Sequence, residues 1–184
     1  MAEENQNAQN PQTPEQAQQP STEPSFQLVR CYLKDASLEM PHAPDVFLHA
    51  PEEQPRVDIQ FEVSQSAVNG IATGYEVVVR GTITVATEKA TMFLVEGKQA
   101  GLFDIRNIPE DGMRHLLNVL CPSIVYPYLR ANLADLINRT GLPTVNLPEV
   151  NFEVLYQQRL ARQQAQAQQN GAAQAAPASD EGHA

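Results

Sequence analysis

The chain has no tryptophan, only two cysteines in 184 residues and few basic side chains: 12 Lys and Arg stand against 22 Asp and Glu, for a net charge of −10. Each shortage excludes something. Two cysteines cannot make a disulfide scaffold, and Cys31 and Cys121 both lack the nearby Cys or His partners of a zinc site, so no metal is expected and a reducing, cytoplasmic setting is. Phosphate binding draws its affinity from clustered Lys and Arg, which disfavours nucleic acid as a partner and a bare anionic membrane with it. No segment nears the roughly 18 consecutive apolar residues of a membrane span, so direct membrane insertion is not expected. The first residues, MAEENQNAQNPQTPEQ, carry acids where a secretory signal has a basic region followed by an apolar core. Retention in the compartment of synthesis is the resulting expectation.

Catalytic signatures are missing too. The sequence has no G-x-S-x-G elbow, no GxxxxGK[ST] loop, no G-x-G-x-x-G after a strand and no H-E-x-x-H. His42 and His49 fall in a Pro-rich loop and His115 in a helical stretch, where solvated or packed imidazoles are the ordinary outcome. Cys121 before Pro122 reads as a small buried hydrophobe. Neither an enzyme nor a cofactor is expected.

Apolar side chains mark out the part that folds. Between Ala2 and Ser25 there is no Val, Ile, Leu, Phe or Tyr, and the same holds from Ala161 to Ala184. Residues 1–25 therefore read as a disordered, acidic, Gln/Pro-rich tail, 26–160 as one domain, and 161–184 as a disordered Gln/Ala-rich tail. The four acids and no base of residues 1–25 account for −4 of the charge and leave −6 on the remainder.

Inside the domain the period changes once. Val57 to Ser64 alternates strictly, with Val57, Ile59, Phe61 and Val63 on one face, which is a half-buried strand. Tyr75 to Thr87 is rich in β-branched residues and leads through Glu88-Lys89 into ATMFLVEGKQAGLF, the pattern of a hairpin. Phe26 to Asp35 gives a fourth strand of less regular alternation, and the Pro-broken stretch from Met40 to Pro55 reads as a loop. After Pro109 the spacing is helical. A first helix is expected to end at the Cys121-Pro122 step, a second to run from about Pro127 to Arg139 with Gly141 as its left-handed cap, and a third to start at Asn151. Strands followed by helices make an α+β chain, a four-stranded antiparallel sheet with helices packed on one side. Val78 and Ala86 add apolar surface opposite Val77, Val79, Ile83 and Val85, an excess that oligomerisation would bury.

The stretches FQLVRCYLKDASLEMPHAPDVF, YEVVVRGTITV, FLVEGKQAGLFDI and CPSIVYPYLRANLADLINRTGLPTVNLPEVNFEVLY, in this order, closely resemble the SecB family of protein-export chaperones from Phe26 to Tyr156. The resemblance implies a homotetramer, a dimer of dimers, with sheets outside and helices between. It implies a cytosolic chaperone that holds unfolded secretory preproteins and passes them to the SecA motor of the Sec translocase. By the family's pattern the client grooves would involve Tyr32, Phe47, Phe93, Phe103, Tyr126, Tyr128, Phe152 and Tyr156. The family often carries a tryptophan in the loop before the second strand, where this chain reads LHAPEEQPRV. The SecA contact would match Asp35 and Glu39 in LKDASLE with Leu94 and Glu96 in FLVEG, each pair spaced evenly so that it projects to one side of a strand. The family's C-terminal tail also binds SecA, at a small domain whose zinc belongs to the motor, and here that tail ends ASDEGHA. Two other readings stay open: a SecB-like chaperone dedicated to one client, such as an antitoxin, and a small α+β enzyme using His115 or Cys121.

Overall fold

The structure is a computed structural model that describes residues 22–49 and 53–174. Four long strands, β1 (Ser25–Glu39), β2 (Arg56–Ala67), β3 (Gly74–Ala86) and β4 (Thr91–Arg106), form one antiparallel sheet in the order β1-β4-β3-β2. The β3–β4 hairpin closes through Thr87, whose backbone N–H donates to the carbonyl of Ala90 at 2.9 Å. Its register sets Val85 opposite Phe93, Gly81 opposite Gly97 and Arg80 opposite Lys98.

Alternation then divides the sheet into two faces. The odd residues of β3 (Val77, Val79, Ile83 and Val85) are buried beneath the helices, as are Phe93, Val95 and Phe103 of β4. The irregular alternation of β1 has a local cause. Its pairing with β4 shifts between Leu28 and Arg30 and again between Leu33 and Asp35, and each bulge reverses which parity faces the core.

The helices are α1 (Asp45–Leu48), a single turn in the loop after β1, α2 (Glu110–His115), α3 (Cys121–Asn138) and α4 (Phe152–Gln174). Helix α3 lies across the middle of the sheet on two small residues. A Cβ on Gly97 would stand 2.8 Å from Leu133 Cδ2, and one on Gly81 would stand 3.0 Å from Leu133 Cδ1. Leu129, Leu133 and Ile137 are fully buried by this approach. Gly141 ends the segment with φ +74°, as its place after the helix predicts, and Asn151 Oδ1 accepts from the Val154 N–H at 3.1 Å to cap α4.

Two expectations about helix limits are corrected. Cys121-Pro122 does not end the first helix, because a π turn at Leu116–Leu120 joins α2 to α3 without a break. Within that turn the Cys121 N–H reaches the Leu116 carbonyl five residues back, and Pro122, at the first turn of α3, needs no donor. Residues 161–174 are helical, where the composition suggested a disordered tail from residue 161. Gln, Ala and Arg are good helix formers, and no Gly or Pro interrupts them before Gly171. The expected disorder of residues 1–21 and 175–184 lies outside the described residues.

Candidate functional site

On the outer face of the sheet, away from the helices, cross-strand register gathers side chains from all four strands. Glu39 lies opposite Leu94, Ser37 opposite Glu96, and Asp35 opposite Lys98. Asp35, Glu39, Leu94 and Glu96, two pairs that are far apart in sequence, thus form one patch across β1 and β4. Continuing across the sheet, Lys98 neighbours Arg80 of β3 and Arg80 neighbours Glu62 of β2.

The acids of this patch are unequal. Arg80 Nη2 donates to Glu96 Oε2 at 2.5 Å, Lys98 Nζ lies 3.6 Å from Glu96 Oε1, and the Glu96 side chain keeps only 19 % of its surface exposed. The Arg80 hydrogen bond holds the Glu96 carboxyl below the usual carboxylate range. Asp35, 56 % exposed, accepts from Lys98 Nζ at 3.1 Å. The sequence reading missed both bases and Glu62, although the parity of β3 and β4 puts Arg80 and Lys98 on the same face as Glu96.

The same face holds Tyr32. The bulge beside Val29 turns its side chain outward, away from the helices, and its hydroxyl donates to Glu76 of β3. Glu76 also accepts from Lys34 Nζ at 2.7 Å. The Lys34 and Tyr32 hydrogen bonds lower the Glu76 carboxyl, while the carboxylate pushes the Tyr32 phenol up to about 12.

On the helical side the remaining seven aromatics separate into core and surface. Phe103 and Tyr126 are closed off in the interior, Phe103 stacked on Phe26 with ring centres 5.5 Å apart and Tyr126 edge-on to Phe61 and Phe152 at 5.6 Å. The Tyr126 hydroxyl donates to the Pro148 carbonyl at 2.5 Å. These two belong to the core, Phe103 on β4 and Tyr126 on α3 itself. Phe93 and Phe152 are equally buried but form the floors of two cavities. One, about 550 Å³, lies between the loop after β1 and the segment after α3, with Phe47, Val57, Phe93, Leu142 and Val145 among its walls. The other, about 410 Å³, lies between β2 and α4, with Phe61, Val63, Phe152, Leu155 and Tyr156. Phe47 and Tyr128 are half exposed, and Val154 and Leu155 add apolar surface on α4.

The residues considered for catalysis do not converge. Cys121 is completely buried, and loss of solvent pushes its thiol up to about 12. His115 Nε2 lies 2.7 Å from Glu153 Oε2 on an exposed surface, its ring edge-on to Tyr156. Among the described residues no three His, Cys, Asp or Glu side chains come together as a metal site, and no helix is long and apolar enough to cross a membrane.

Apolar aromatic surface on one side of an open sheet and a charged patch on the other make an α+β protein built for binding. A sequence model of SecB, described as preprotein translocase subunit SecB, matches residues 17–163. The protein-export protein SecB of Ralstonia pickettii (strain 12J) is 49 % identical over 160 residues, 85 % of this chain and 90 % of its own length. That of Burkholderia ambifaria (strain MC40-6) is 46 % identical over 155 residues, 84 % and 93 % of the two chains. Among solved structures, a SecB-like chaperone of Mycobacterium tuberculosis in complex with a ChAD peptide from the HigA1 antitoxin shares the fold. Its TM-score is 0.54 at 19 % identity, over 68 % of this chain and 90 % of that one. The chain belongs to the SecB family, and its function is that of a chaperone for preprotein export.

Proposed function

We propose that this chaperone works in the cytoplasm as a homotetramer, a dimer of dimers, holding unfolded secretory preproteins on its helical side and presenting the outer face of its sheet to SecA. The observation that carries the reading is the convergence of Asp35, Glu39, Leu94 and Glu96 on one face, opposite the two aromatic-floored cavities. A holdase needs open apolar surface and net charge enough to stay soluble while displaying it; the cavities supply the first and the charge of −10 the second. Phe47, Tyr128 and Tyr156, with Phe93 and Phe152 beneath, are the aromatics a client would meet. Rings offer contact area at low rotamer cost, which suits a binder of many sequences.

The reading of a chaperone dedicated to one client has less behind it, since the antitoxin peptide belongs to a neighbour that shares the fold alone. One experiment separates the two. Labelled SecA is titrated with the wild type and with Glu96→Lys at low and moderate salt, and suppression of precursor aggregation serves as the control. Charge steering predicts that the complex weakens as salt shortens the Debye length from about 10 Å toward about 3 Å, and that Glu96→Lys weakens it further while aggregation is still suppressed. Equal SecA affinity for both proteins overturns the outer face as the motor's site.

A further inference from the structure

The outer face is not simply acidic, because its own bases already occupy the carboxylates. Lys98 Nζ sits between Asp35 Oδ2 at 3.1 Å and Glu96 Oε1 at 3.6 Å, and Arg80 divides its guanidinium between Glu96 at 2.5 Å and Glu62 at 3.5 Å. Three acids share two bases across four strands, and Glu39, at the end of the row, makes no ion pair among the described residues. Resting on the reading of this face as the motor's site, we propose that Lys98 is an internal competitor: it partly neutralises Asp35 and Glu96, and a basic surface on the motor engages them by displacing it.

Two features make that exchange feasible. Lys98 is a point charge on a flexible stem, with 36 % of its side chain exposed, so its ammonium can swing into water by rotation of that stem. Arg80 is less settled than its short bond suggests, since its Nε is shut off from water and has no acceptor, which leaves one donor unserved in the present arrangement. A partner whose cations take over Asp35 and Glu96 frees both bases to rearrange. Such competition also confers selectivity. A lone cation gains little from a face that already carries its own, whereas a surface presenting several correctly spaced basic groups gains from all the acids at once. Lys98 would thus set a threshold that a generic polycation fails and the motor passes.

The test compares the wild type, Lys98→Gln, Lys98→Arg and Glu96→Gln as full-length chains. SecA affinity and poly-lysine affinity are measured at low salt and at moderate salt, and circular dichroism checks each fold. Removing a competing charge of this exposure is expected to tighten SecA binding about two- to fivefold and poly-lysine binding at least as much, with the gain shrinking as salt rises. Lys98→Arg keeps the competing cation and should not tighten SecA binding. If Lys98→Gln binds SecA equally or more weakly while Glu96→Gln binds more weakly, the competitor role is overturned and the acidic site stands. If neither variant changes SecA affinity, the site itself is overturned.

Discussion

Cys121 shows how far a single side chain can be read. Its place before Pro122 suggested a buried thiol, and in the structure the sulfur is sealed against the sheet with its ionisation pushed from about 9 up to about 12. The sign of the consequence follows from linkage. Above pH 9 the unfolded thiol loses its proton and the folded one keeps it, so stability declines as pH rises, by about 1 kcal/mol at pH 10. Denaturant melts of the wild type and Cys121→Ala between pH 7.5 and 10 should show a steeper decline in the wild type, and the native protein should modify slowly at Cys121 with thiol reagents. Parallel pH slopes would contradict the assignment. The outer-face acids were singled out by the family resemblance, and the period of two added only that the members of each pair, Asp35 with Glu39 and Leu94 with Glu96, would share a face if both lay in strands. Arg80 and Lys98 required the register between strands as well. The turn does not encode it, because the pairing shifts between Val85 and Ala86, and counting back from the hairpin would miss the partner of Arg80 by one residue.

At the scale of elements, the legible parts were those governed by one local rule. The hairpin, the Gly141 cap and the Asn151 cap stand where alternation and capping chemistry place them. The helix limits failed where two rules competed. A proline normally excludes the helical conformation from the residue before it, yet one π turn absorbs Pro122, and no local sequence signal announces that turn. Aromatics were the least legible, because a ring in a helical stripe serves core or surface equally well until the packing partner is known. That ambiguity now has a test. Phe152 is buried edge-on to Tyr126, so Phe152→Ala should cost about 3–5 kcal/mol of stability and loosen α4. Tyr128 is 50 % exposed, so Tyr128→Ala should leave the melting transition in place and weaken client binding. Thermal melts with client titrations check both. A stable Phe152→Ala or an unfolded Tyr128→Ala would reverse the division of core from surface.

The whole molecule carries apolar surface that one copy leaves uncovered. Val29 and Leu33 are exposed on the edge strand β1, and Leu120, Val154 and Leu155 on the helices. The proposed tetramer would bury this excess between copies, and its expected solution mass is that of four 20.3 kDa chains, about 81 kDa at micromolar concentration. Light scattering reads it directly, and a stable monomer would contradict the assembly. The proposed function requires that client and motor use opposite faces of one sheet. Its most direct test is SecA titration of the chaperone alone and of the chaperone saturated with an unfolded precursor. Because the two surfaces are proposed on opposite sides, loading should change SecA affinity by no more than about twofold. A loss of SecA affinity of about tenfold or more on loading would mean that the two ligands compete for one surface and would contradict the use of opposite faces.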